Sequence, residues 1–214
     1  MKSRGFTLVE MIVVVSIIAI LSGVGLFQYN EASKKSRDYD RQSDLKNVQA
    51  ALDLYKQKYG RYPARCTPKN GTAWSGQLGT NYECQDGSGQ YITGLAPEFI
   101  AALPQDKKLN GSDSGYVYTV NAEGTVYKFE AKKTVESETI QTGHKLASCD
   151  VYDFNHADGG MCVRVASQGN NTPDWCQDYN GTFQTSYAVW GGFANSSSAT
   201  FVERYTEDVV CAVQ

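Results

Sequence analysis

Lys2-Ser3-Arg4-Gly5-Phe6-Thr7-Leu8-Val9-Glu10 opens the chain, and an uncharged apolar run from Met11 to Phe27 follows it. Read as an α-helix, Phe6 to Phe27 is roughly 32 Å long, about the thickness of one hydrocarbon core. A carboxylate at the middle of such a segment costs roughly 2.5–3.5 kcal/mol on insertion scales, and less near an interface. Glu10 stands near the cationic end, where the cost is softened but not removed, so a use for it is expected. An ordinary secretory signal has an apolar core of about 7–15 residues before a small-x-small cleavage site. This run is longer, and only Gly23-Val24-Gly25 offers a poor site of that kind. An uncleaved anchor fits the length but leaves Glu10 unexplained. Lys2 and Arg4 favour an inside N-terminus, although Lys34, Lys35, Arg37 and Arg41 beyond the span blunt the charge asymmetry.

In Gly5-Phe6-Thr7-Leu8-Val9-Glu10 behind a short basic leader, the chain resembles the prepilin motif of type IV pilins and type II secretion pseudopilins. The resemblance implies cleavage between Gly5 and Phe6 by a prepilin peptidase, N-methylation of the new Phe6 amine, and a part for Glu10 in subunit assembly. It also implies a pilin-like α+β fold, with a long N-terminal helix packed on an antiparallel β-sheet. The partners implied are copies of the chain in a helical filament, the peptidase and pilus assembly machinery, and the inner membrane before assembly. The protein would be a single-pass membrane protein first and an extracellular filament at the cell surface afterwards. Phe27 stands where many pilins carry a proline, which removes the residue that usually kinks the span.

Beyond the span, Asn30 to Asp44 is polar and charged nearly all round, with Tyr39 as its one large ring. That is the pattern of a solvated or loosely packed helical linker. Leu45, Val48, Leu52, Tyr55 and Tyr59 then recur at spacings of three and four, with Ala51 alongside, as one apolar stripe on the helical period. Gly60 and Pro63 supply the stop. One helix from Phe6 to Tyr59 would be roughly 80 Å long. Two helices broken near Asn30 are the alternative, since Gly23 and Gly25 each weaken a helix by about 1 kcal/mol relative to Ala. The expected organisation is a leader (1–5), a membrane and filament-core half-helix (6–29), an amphipathic half-helix (30–59), a globular domain with loop and β-hairpin (60–135), and a Cys- and aromatic-rich C-terminal lobe (136–214).

Residues 61–94 are rich in turn residues. Leu95 to Leu103 reads as a short helix between Gly94 and Pro104. Tyr116–Val120 and Val126–Ala131, joined through Asn121-Ala122-Glu123-Gly124, read as a hairpin. Leu103-Pro104-Gln105-Asp106 ahead of Gly115-Tyr116-Val117-Tyr118 resembles the loop-then-hairpin region of secretion pseudopilins, some of which bind calcium there. Asp106 and Asp113 are oxygen donors in that neighbourhood, though two carboxylates in a surface loop are more often just solvated.

All six cysteines, Cys66, Cys84, Cys149, Cys162, Cys176 and Cys211, lie beyond the span, and none forms a C-x-x-C pair. They predict disulfides in an oxidising compartment rather than a zinc site. Sequence-local pairing gives Cys66–Cys84, Cys149–Cys162 and Cys176–Cys211. Asp150, Asp153, Asn155 and Asp158 precede Gly159-Gly160, but Asp158 stands where a calcium loop in that register needs glycine. Trp175, Tyr179, Phe183, Tyr187, Trp190 and Phe193 predict the core of a small disulfide-bonded lobe, with a stacking platform as the alternative. Val209 to Val213 reads as a final strand. Asn70-Gly71-Thr72 and Asn180-Gly181-Thr182 are turns first and glycan acceptors second.

His144 and His156, the only histidines, sit in no nucleophile or zinc motif. No catalytic residue, cofactor or metal is therefore expected, and the chain is not read as an enzyme. A net charge of −3, with the tail's two arginines, Arg164 and Arg204, too sparse for a basic stripe, gives no nucleic-acid surface. The expected function is structural: a subunit of a type IV pilus-like surface filament. The alternatives are a type II secretion pseudopilin and a membrane-anchored binding module that uses the aromatic tail. The sequence names no extracellular ligand.

Overall fold

One helix, α1 (Leu8–Tyr59), runs unbroken through both expected halves. The computed structural model describes residues 6–72, 74–140, 144–148 and 183–192, the side chains of 24–27 and 183 excepted. The chain divides into two compact units, Met1–Arg37 and Asp38–Gln214. In the first, apolar side chains are exposed in every direction, from Leu8 and Val9 through Ile12, Val15 and Ile18 to Leu21. By length and composition α1 can cross a membrane.

In the second unit the helix acquires a buried side. Leu45, Val48, Ala51 and Leu52 enter the core, as their spacing predicts, with Tyr55 packed against its edge. Tyr59 stays largely exposed and closes an aromatic trio with Tyr55 and Phe99, centroids 4.5 and 6.0 Å away. Gly60 ends the helix with φ +75°, its N–H donating to the Lys56 carbonyl at 2.8 Å. Only glycine takes that left-handed position without a steric cost.

The sheet is antiparallel, in the order β1 (Ser75–Gly76), β2 (Gly115–Val120), β3 (Val126–Lys132), β4 (Tyr187–Gly192). β2 and β3 are the expected hairpin, pairing Gly115 with Lys132 through to Val120 with Tyr127. Asn121 and Gly124 close its turn. Tyr116, Tyr118, Val120, Tyr127, Phe129, Tyr187 and Val189 share the core with the helix stripe. Two tyrosine hydroxyls on this side find fixed acceptors: Tyr118 donates to the Pro63 carbonyl and Tyr91 to that of Pro104, each at 2.8 Å. The Cys66–Cys84 disulfide is present. It pins the 61–94 loop, which also bridges Arg65 to Ile92 and Pro68 to Cys84. Gly76 is glycine for want of room, since a Cβ there would lie 2.8 Å from the Tyr116 carbonyl oxygen.

Three features differ from the expectations. Leu95–Leu103 is a succession of turns rather than a helix. Leu95 is buried and Phe99 packs on Tyr55, so two anchors four residues apart fix one turn, closed by Phe99 N–H to the Leu95 carbonyl at 2.9 Å. Ala101 and Ala102 are exposed and gain no burial from a further turn. Second, β4 comes from inside the stretch read as a separate lobe and pairs with β3 along its length. Third, the polar stretch before Leu45 is not merely solvated, because Asp38 and Arg41 are each only 2 % exposed.

Arg41 is the centre of a charged cluster. Its Nε and Nη2 grip Asp106 at 2.6 and 3.1 Å, Nη1 reaches Asp38 at 2.6 Å, and Nη2 reaches Glu136 at 3.1 Å. Asp38 also accepts the Ser137 N–H at 2.7 Å, and Lys108 meets Glu136 at 2.5 Å. Burial alone would favour a neutral guanidine, but the bonds to Asp106, Asp38 and Glu136 outweigh it and hold Arg41 firmly charged. One turn on, Asp44 accepts the Tyr116 hydroxyl at 2.7 Å, and burial pushes its carboxyl above the ordinary value despite that bond.

Removing one partner from a buried charge cluster leaves the others uncompensated. Arg41→Ala is expected to lower the unfolding free energy by about 3–5 kcal/mol, read as a fall in the urea midpoint of the full chain in detergent. A loss below about 1 kcal/mol is what a surface pair would give and would contradict this account.

Candidate assembly site

The N-terminal turn of α1 holds the one carboxylate of the apolar segment, and its geometry is specific. Thr7 is the residue before the helix and Glu10 the third residue inside it. The Thr7 N–H donates to Glu10 Oε2 at 2.7 Å, and the Thr7 hydroxyl donates to the same oxygen at 2.7 Å. The Glu10 N–H in return donates to Thr7 Oγ1 at 3.3 Å, and Met11 N–H reaches the Thr7 carbonyl at 3.3 Å. This is the reciprocal capping box of a Thr-x-x-Glu sequence, which satisfies N–H groups that the first helical turn leaves without a partner. A negative group here also complements the positive end of the helix dipole.

The chemical consequence is that Glu10 is not bare. In a bilayer a carboxylate needs donors close by, and Thr7 supplies two. Phe6, immediately upstream of Thr7, is exposed, so its backbone nitrogen lies close to the first turn of the helix. The sequence reading singled out Glu10 but passed over Thr7, although the S/T-x-x-E signal was there to be read. Gly5 lies outside the described residues.

The remaining candidates are dispersed. Asp106 is held by Arg41 and Asp113 by Lys133, so each of the two loop carboxylates is engaged by a cation, and the two are not brought together. Among the described residues, no group of three or more His, Cys, Asp or Glu is arranged to hold a metal ion. His144 accepts the Leu146 N–H on Nδ1 at 3.2 Å, with Nε2 4.0 Å from Glu138. Tyr187, read as part of an aromatic lobe, is buried in the sheet; its hydroxyl donates to Glu138 and accepts from Gln42 Nε2 at 3.1 Å. Cys149, Cys162, Cys176, Cys211, His156, Arg164, Arg204, the Asp150–Asp158 acidic run, Trp175, Tyr179, Phe193 and the 209–213 strand lie outside the described residues.

Comparison with known proteins bears on the same end of the chain. The family model described as the prokaryotic N-terminal methylation motif matches residues 1–26. The type II secretion system core protein G of Pectobacterium carotovorum subsp. carotovorum is 33 % identical over 63 residues, 29 % of this chain. The match spans 40 % of that relative's length. No solved structure matches the chain. The resemblance read from Gly5 to Glu10 is borne out by both matches.

If the capping box holds the first turn, Thr7→Val should cost about 1 kcal/mol there. Amide exchange at Glu10 and Met11 in detergent micelles is then expected to quicken roughly fivefold. Unchanged exchange at these two amides would show that the hydroxyl does not hold the turn.

Proposed function

We propose that the chain is the structural subunit of a filament of the pilin and pseudopilin type, assembled from the inner membrane after the leader is removed between Gly5 and Phe6 and the Phe6 amine is methylated. One observation carries this reading. A helix segment with apolar side chains exposed on every side bears a single carboxylate, Glu10, capped at the end where the motif places the cut. Neither a plain anchor nor a soluble domain has a use for that combination.

The physical steps run as follows. In lipid, apolar helices gain no hydrophobic drive to associate, so close packing and polar contacts decide which copies pair and in what register. A freed amine on Phe6 is a cation within the apolar layer, and Glu10 of a neighbouring subunit is the anion that neutralises it. Pairing within one subunit is the competing geometry, since the two groups are four residues apart on one helix face. A pairing between subunits fixes the axial offset of one rod against the next. Leaving the amine unpaired costs about 3–5 kcal/mol per subunit.

Within this reading, a type IV pilus-like surface filament is the first assignment. The length of chain outside the 63-residue match, which covers 29 % of it, supports this assignment, as a part to present outside. The second is a type II secretion pseudopilin, favoured by the similarity to a core protein G. A surface filament is recovered by shearing, whereas a pseudopilin stays with the envelope and its loss stops export of other proteins.

Glu10→Val separates assembly from insertion. The variant is expected to reach the membrane at the normal level while assembled polymer falls at least about a hundredfold, the equivalent of an unpaired charge in every subunit. Polymer at the parental yield would contradict the proposal.

A further inference from the structure

Two Asn-Gly dipeptides stand among the described residues, Asn70-Gly71 and Asn110-Gly111. Both are exposed, and each glycine takes a left-handed φ, +68° at Gly71 and +87° at Gly111. The pairing has a chemistry of its own. The main-chain nitrogen after an asparagine can attack the side-chain Cγ, and glycine, with no Cβ, leaves that nitrogen open to approach. Space does not separate the two sites. A Cβ built at Gly71 would meet nothing within 4 Å, and one at Gly111 only Asp113 Oδ1 at 3.8 Å. Hydrogen bonding does separate them. At Asn70 the reacting groups are tied: Oδ1 accepts the Thr72 N–H at 3.2 Å and the Thr72 hydroxyl at 2.9 Å. The Gly71 N–H donates to the Pro68 carbonyl at 3.2 Å. Two donors on Oδ1 polarise its carbonyl, but an activated carbon is of no use while the nitrogen keeps its proton on Pro68. At Asn110 the main chain is held and the reacting groups are not. The Asn110 N–H donates to Ser114 Oγ, and the Ser114 hydroxyl donates to the Gly111 carbonyl, each at 2.7 Å. Among the described residues, neither the Gly111 N–H nor the Asn110 carboxamide has a hydrogen-bond partner.

We propose that Asn110 is a site of slow, irreversible self-modification. The Gly111 nitrogen, its proton taken by water or hydroxide, forms a bond to Cγ of Asn110. The bond from Cγ to Nδ2 breaks, and that nitrogen takes a proton from solvent and leaves as ammonia. Water then opens the resulting succinimide. Hydrolysis at the side-chain carbonyl yields aspartate; hydrolysis at the main-chain carbonyl yields isoaspartate, with an extra carbon in the main chain. Water is the only co-reactant. The product adds a negative charge to an exposed stretch that already holds Lys107 and Lys108. That stretch links Asp106, held by Arg41, to Asp113, held by Lys133. The loop therefore changes its charge with the age of the molecule. The assignment stands whether or not the filament reading does.

Peptide mapping by mass spectrometry of the unsubstituted full chain, aged in detergent micelles in mildly alkaline buffer, tests the assignment. The amide-to-acid mass shift is expected to accumulate at Asn110 at least about tenfold faster than at Asn70, where hydrogen bonds have to break first. In urea with the disulfide reduced, where neither site keeps its bonds, the two should convert at similar rates. Thr72→Val, which takes one donor from Asn70 Oδ1, should quicken conversion at Asn70 and leave Asn110 as it was. Equal rates in the folded chain, faster conversion at Asn70, a gap that persists in urea, or an Asn110 that stays intact while its unfolded counterpart converts would each overturn it. So would an unmoved rate at Asn70 in the folded Thr72→Val chain.

Discussion

One uninterrupted helix has to satisfy two solvents. From Leu8 to Leu21 its large side chains, Glu10 apart, are apolar and exposed in every direction; from Asp38 onward it has a buried stripe and a wet back. A helix is suited to this because its backbone hydrogen bonds are internal and do not depend on what surrounds it. The first half nevertheless cannot remain in water, and lipid or other apolar helices are what can cover it. The one carboxylate on that half is placed where it does least damage and most work, in the first turn, bonded to Thr7 and aligned with the helix dipole.

Where the character of the helix changes, charge rather than grease does the joining. Asp38 and Arg41 belong to the segment that looks like a solvated linker, yet they collect Asp106 from before the hairpin and Glu136 from after it. Such a cluster adds little net stability compared with an apolar plug of the same shape, because every member was well solvated when unfolded. What it adds is selectivity. Only one rotation of the helix about its axis brings Arg41 to all three carboxylates while also turning Leu45, Val48 and Leu52 into the core. The Tyr116 hydroxyl on Asp44 repeats the constraint one turn further on.

The features legible in the sequence were those with local causes. The apolar stripe, the Gly60 stop, the Tyr116–Ala131 hairpin and the Cys66–Cys84 link all rest on spacing or turn chemistry among residues no more than 18 apart. The Arg41 cluster was invisible because two of its acids, Asp106 and Glu136, lie 65 and 95 residues away along the chain. β1 is two residues long, too short for a period to show, and β4 was hidden because Tyr187-Ala188-Val189-Trp190 drew attention for its rings, not for its alternation. The failed helix at Leu95–Leu103 has the converse explanation: its apolar residues are spent on two anchors, not on a face. At the candidate assembly site, register alone exposed Glu10, and the Thr-x-x-Glu pattern that secures it was equally present in the sequence.

The central claim is that the apolar half of this helix is made to be freed at one end and packed against copies of itself. Mass and N-terminal sequence of the chain purified from cell envelopes and from sheared surface material test it most directly. The account predicts a chain that begins at Phe6 with a methylated amine and is recovered in polymer. A chain that still begins at Met1 and sits singly in the membrane would contradict it.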